Sequence, residues 1–211
     1  MAHILEAIRG TEIQKAVSIL EDAHQKIVLR AAEATLEAES DAELWGRRLK
    51  RLEVSLPLIP GVVGKSSEKL VELINILATV ERTISALKWF GQEYSDCVLR
   101  ECHPSTSDDS DGNDIVVTTE SGVVRARCEV CDVASSSAGQ NGKEKKDIKN
   151  LGCNDIVPRD GVRRFIATSM EFSSALTSSK RKWHALPYRY LAHTNGGLGD
   201  TVLLEVVPPN E

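Results

Sequence analysis

The chain has 211 residues, 41% of them hydrophobic, which suffices for one ordinary domain, or one domain with a helical extension, that buries its core without disulfide support. Five cysteines are an odd count, no charged leader with a cleavage site opens the sequence, and charges break every apolar run. These features exclude a disulfide framework and a membrane span, and a reduced, cytoplasmic protein is expected. The formal charge of −5 argues against coating nucleic acid by bulk attraction, yet from Arg159 to His193 the basic residues Arg159, Arg163, Arg164, Lys180, Arg181, Lys182 and Arg189 stand against only Asp160 and Glu171, a basic stretch in the C-terminal third.

In chain order, Ile13, Ala16, Val17, Leu20, Ala23, Ile27, Ala31 and Leu36 recur at three and four and predict an amphipathic first helix into which the N-terminus runs directly. A second helical run opens at Asp41 and passes through Val54, and "LPLIPGVVGKSS" is a connector. Ser66 or Ser67 is placed to cap a long helix with the face Leu70, Leu73, Ile74, Ile76, Leu77, Val80, Ile84 and Leu87. After Tyr94 the period changes: "DCVLREC" is a short strand and "HPSTSDDSDGN" a polar loop. "DIVVTT" and "VVRARCEVCDV" form a hairpin turning at Ser121 and Gly122. "GKEKKDIKNLG" is a short helix ending at Gly152, "VRRFIATS" a strand, "MEFSSALTSSKRKW" a helix candidate, and "YRYLAHT" and "TVLLEVV" are closing strands. The pattern predicts an α/β fold in which a mixed central sheet is flanked by helices, residues 66–211 forming this domain and 1–58 an N-terminal helical region that packs on the core or mediates homodimerisation.

On the strand 123–133, alternation puts Val124, Ala126, Cys128 and Val130 on one face and Arg125, Arg127, Glu129 and Cys131 on the other. Cys128 and Cys131 therefore point apart, and without a glycine to turn the backbone they do not share a zinc ion. Cys97 and Cys102 likewise have opposite parity in their strand, and His103 is a loose third ligand candidate, so zinc is disfavoured. A redox pair needs a helix N-terminus, and Cys128 lies in a valine-rich run. What remains is Asp114 at the start of one hairpin strand, opposite the neighbourhood of Glu129 on the other. Two carboxylates converging from adjacent strands, with a backbone carbonyl between them, supply the oxygen ligands Mg²⁺ (or Mn²⁺) takes, and such an ion activates water against a phosphodiester. The bland alternative is an acid at a strand start and another on a solvated face.

"GNDIVV", the glycine hairpin and "RCEVCDV", preceded by a long helix and a strand and followed by a short helix and a strand, resemble the PD-(D/E)XK nuclease superfamily over about residues 66–169. The resemblance implies a restriction-endonuclease-like core and a metal-dependent DNA endonuclease. It assigns Asp114 to the second motif, with Asn113 where proline is usual, and Glu129 to the E-x-K motif. It further implies the Val130 carbonyl as a metal ligand and Glu81 as an optional helix ligand. Cys131 stands where the family has its lysine, so the cation must come from elsewhere, Arg127 or a lysine of the following helix such as Lys145, with Lys143, Lys146 and Lys149 beside it. Otherwise the protein is a catalytically inactive nuclease-like module that binds DNA or protein.

The segment "SSKRKWHALPYRY" interleaves charge and aromatics, so Lys180, Arg181, Lys182 and Arg189 are candidates for phosphate contacts and Trp183 for stacking on DNA. A basic helix end with Trp183 in the core is the equal alternative. "NGGLGD" is a turn, since no helix with a lysine follows it.

Overall fold

The computed structural model describes residues 8–38, 53–56, 67–104, 113–131, 147–153, 157–170, 173–174, 188–196 and 199–207. In chain order these form β1 (Ile8–Glu12), α1 (Ile13–Ala38), β2 (Glu53–Ser55), β3 (Ser67–Lys69), α2 (Leu70–Glu93), β4 (Cys97–Cys102), β5 (Ile115–Thr119), β6 (Val124–Cys131), a helical turn at 147–150, β7 (Arg163–Ser169), β8 (Tyr188–Gly196) and β9 (Gly199–Val206). Seven strands make one mixed sheet in the order β1-β4-β5-β6-β7-β9-β8. Every neighbouring pair is antiparallel except β6 and β7, which run parallel and therefore need the long crossover that carries the 147–150 turn.

The sheet is buried on both faces. Against one face lie α1 and α2, whose Ile13, Ala16, Leu20, Ile27, Leu73, Leu77, Val80, Leu87 and Phe90 pack with Leu99, Ile115, Val117, Cys128, Val130, Phe165 and Ala167. Each fully buried side chain of Leu, Ile or Phe size stabilises by about 1.5–3 kcal/mol, so this layer dominates the fold energetically. Against the other face, Ile148, Leu151, Cys153 and Val157 of the crossover cover Cys131, Ile166, Val202, Leu204 and Val206.

Both long helices lie where the apolar period put them, with Leu36 and Ile74 left outside, 68% and 47% exposed. Three expectations change. The N-terminus does not run straight into helix: residues 8–12 are an edge strand on β4. So β1 and α1, within the stretch 1–58, share the sheet and core of the rest of the chain. Residues 53–55 do not end a helix but pair with 67–69 as a two-stranded ladder, and α2 starts at Leu70 with Lys69 as N-cap and no side-chain capping bond, so neither serine caps it. The helix read from Asp41 falls outside the described residues over 41–52.

The hairpin turns where expected. Gly122, at φ 86°, takes the left-handed conformation open to glycine, and its N–H donates to Thr119 O at 2.9 Å. Gly152, at φ 75°, ends the helical turn, donating to Lys149 O.

Candidate functional site

Two β-bulges set the side-chain directions around Asp114. In the β4–β5 ladder the register slips between Leu99 and Glu101, leaving Arg100 unmatched, and in β5–β6 it slips between Val117 and Thr118, leaving Arg125 unmatched. An extra residue reverses parity beyond it. Cys97 and Cys102 consequently fall on the same face and in the same core, contrary to simple alternation, and Val124 leaves the face of Ala126. From Ala126 to Cys131 the expected alternation holds. Cys128 enters the core beneath the helices, and Cys131 enters the cluster on the opposite face.

The cysteines are five buried free thiols. Burial, reinforced by the Asp114 charge, pushes the Cys128 and Cys102 thiols up from their ordinary range, which keeps them neutral. Nothing about them suits a redox pair. Among the described residues no group of three or more His, Cys, Asp and Glu side chains is gathered closely enough to hold a metal ion.

Past the Ile115–Cys128 pair the β5–β6 ladder stops, and a side chain takes over from the backbone. Val130 N–H donates to Asp114 Oδ2 at 2.6 Å, while the Asp114 carbonyl accepts from His103 N–H at 2.7 Å on the other side. Asp114 is thus pinned between β4 and β6. Because the N–H and C=O of a strand residue point the same way, the Val130 carbonyl is also directed toward β5.

Glu129 neighbours this anchor on β6 and is 3% exposed. Asn113 Nδ2 donates to its Oε1 at 2.8 Å, and Arg127 Nη1 donates in turn to Asn113 Oδ1 at 3.4 Å. Burial, then the charge of Asp114, pushes the Glu129 carboxyl up to about 9. The hydrogen bond from Asn113 opposes this, Asp147 adds to it, and an Asn150 hydrogen bond opposes it again. Three carboxyls, those of Glu129, Asp114 and Asp147, therefore act on one another in a poorly hydrated region with two amides around it.

Of the residues singled out from the sequence, Asp114, Glu129, Arg127 and the Val130 backbone come together. Glu81 does not join them: its Oε1 lies 3.2 Å from His24 Nε2, across the α1–α2 pair that covers the sheet face opposite to Glu129. Arg189 is also apart. Its Nε donates to Glu205 Oε2 at 3.0 Å on β8, three strands from β6, or about 14 Å at ordinary strand spacing. Lys145, Lys180, Arg181, Lys182 and Trp183 lie outside the described residues, as do Lys143 and Lys146; Lys149 is exposed.

Around Glu129, sequence reading noted Asn113 only as the residue where proline is usual, and it missed Asp147 and Asn150. The last two carried a signal. In "DIKNL", Asp147 and Asn150 are spaced i, i+3 on one side of the turn and Ile148 and Leu151 on the other. The apolar pair anchors the turn in the second core and so carries the polar pair to Glu129. The lysines flanking this pattern drew attention to charge and away from it.

As a donor set, the Asp114 and Glu129 carboxyls with the Val130 carbonyl are hard oxygens of the kind Mg²⁺ or Mn²⁺ takes, and a buried carboxyl raised by a like-charged neighbour is a group that a cation would relieve. In donor type these groups suit such an ion, with two carboxyl side chains and one carbonyl in place of three clustered side-chain ligands. No family model, no curated protein and no solved structure matches this chain. No helix among the described residues is long and apolar enough to cross a membrane.

Proposed function

We propose that the protein is a metal-dependent nuclease that hydrolyses DNA phosphodiesters on a restriction-endonuclease-like core, with Asp114 and Glu129 as its metal-holding carboxylates. The observation that carries this reading is the pinning of Asp114 by Val130 N–H beside a buried Glu129, which sets two carboxyls and one carbonyl at the same end of β5 and β6. The order α2, β4, β5, β6, crossover and β7, with β6 and β7 parallel, supports the family resemblance over the same stretch. When bound, Mg²⁺ or Mn²⁺ would polarise the phosphodiester and acidify an attacking water. The chain's own contribution is to fix the two carboxyls by backbone and amide hydrogen bonds, so that no rotamer search precedes binding.

One observation favours a second reading, a nuclease-like module that binds DNA or protein without cutting. Cys131, at the family's lysine position, is 1% exposed and packed in the second core, and supplies no charge there.

Supercoiled plasmid incubated with Mg²⁺ or Mn²⁺ separates the two. Nicking by the wild type, abolished in Asp114→Ala and in Glu129→Ala while circular dichroism stays unchanged, is the outcome the nuclease reading expects. DNA retention without cleavage, the same in all three proteins, would establish the binding module instead.

A further inference from the structure

Arg127 stands two residues before Glu129 on β6 and is paired with no carboxyl group among the described residues. Its guanidinium makes one long hydrogen bond there, to Asn113 Oδ1, and its Nε is closed off from solvent with no partner. The side chain is half-buried, on the face of β6 that also carries Glu129. A partly desolvated guanidinium lacking a counter-charge is costly unless an anion completes it.

Asn113 explains how the cation stays beside the acid without collapsing onto it. It is 3% exposed, and its one amide donates to Glu129 from Nδ2 and accepts from Arg127 at Oδ1. A carboxamide can do both, whereas an aspartate could only accept and would repel Glu129. The spacer therefore keeps acid and cation one amide apart and, with Nε closed off from solvent, leaves the Nη1–Nη2 edge of the guanidinium uncommitted apart from the one bond to Asn113. That edge is a planar fork of N–H donors, which matches two oxygens of a phosphate.

We propose that Arg127 holds a phosphate oxygen of the substrate at this site, and that Asn113 is the positioning residue linking it to Glu129. This deepens the nuclease reading and rests on it for the identity of the phosphate. It also assigns the positive charge to β6 itself, two residues before the acid, and not to the lysine-rich crossover.

Three measurements on the full chain test it: calorimetric binding of thymidine 5′-monophosphate with Ca²⁺ present, binding of Mn²⁺ alone, and plasmid cleavage with Mg²⁺. Arg127→Ala should weaken nucleotide binding by about tenfold or more and slow cleavage by about 100-fold, with Mn²⁺ affinity kept within about twofold. Arg127→Lys should recover part of both losses, and Asn113→Ala should reproduce them, because the guanidinium is then no longer tethered. If Arg127→Ala fails to fold, Arg127→Gln keeps the length and polarity without the charge and carries the comparison. Wild-type cleavage with undiminished cleavage and nucleotide affinity in the Arg127 variants would overturn the assignment and leave the nuclease reading standing. A wild type that does not cut DNA, yet binds the nucleotide in an Arg127-dependent way, would remove the nuclease reading and keep the phosphate site. A wild type that binds no nucleotide overturns the assignment whatever the plasmid shows.

Discussion

Glu129 is a buried acid whose surroundings favour its neutral form, and this has a measurable consequence for stability. Its folded carboxyl, raised to about 9 first by burial and then by Asp114, lies above the ordinary value of 4.5. A raised pKa means that the fold binds the proton more tightly than the unfolded chain does. The stabilisation is complete below about 4.5 and is lost as pH rises toward 9. Glu129→Gln, permanently neutral and still able to accept from Asn113, should melt close to the wild type at pH 5 and several degrees higher at pH 9 in a chelating buffer. Equal melting temperatures across that range would mean that Glu129 is hydrated and unshifted. Asn113 illustrates a different limit at the same scale. Its identity is legible in the sequence, but its bridging role is not, since it depends on two partners 14 and 16 residues away.

At the scale of elements, β6 decides which cysteine reading survives. Alternation from Ala126 onward sends Cys128 and Cys131 into different cores, and this much followed from the sequence because a period of two needs no tertiary information. The bulges at Arg100 and Arg125 did not follow, since an unmatched residue is a property of two strands paired together. The same strand forecasts what an added lysine would do. In Cys131→Lys the ammonium would enter the cluster of Ile148, Leu151, Cys153 and Ile166 and destabilise the protein by about 2 kcal/mol or more, read in urea unfolding at pH 7. An unchanged unfolding midpoint would show that this face admits water and charge.

The molecule as a whole is tied together at the opposite end of β7 from its C-terminus. Arg163 stacks over Trp89, Tyr94 and Phe165, with its guanidinium carbon 5.4, 5.9 and 5.1 Å from the ring centres. It donates to Glu205 on β9 at 2.7 Å and to Glu93 on α2 at 2.5 Å, while Arg189 on β8 donates to Glu205 as well. One buried carboxylate thus joins the last three strands of the sheet, and through Arg163 the end of α2. Burial alone would raise the Glu205 carboxyl, but the hydrogen bonds from Arg163 and Arg189 outweigh it and hold it below its ordinary value. A lowered pKa gives stability that is present above 4.5 and lost as pH falls through the folded value. Glu205→Gln should therefore cost about 1–3 kcal/mol at pH 7, the exposure of Arg189 keeping it from costing more, with the gap to wild type narrowing as the pH falls below 4.5. A constant gap would place the loss in packing and not in charge.

Read by itself, the sequence determined the two long helices, the glycine hairpin, the parity that separates Cys128 from Cys131, and the pairing of Asp114 with the neighbourhood of Glu129. All of these are set by periods of 3.6 and 2 and by turn residues within a short stretch of chain. Only the tertiary structure decided that residues 8–12 extend the sheet, that Glu81 faces His24, that Arg189 belongs to Glu205, and that Asn113, Asp147 and Asn150 surround Glu129. Each of these depends on contacts between segments far apart along the chain, which local periodicity cannot encode because it carries no information about which surfaces meet.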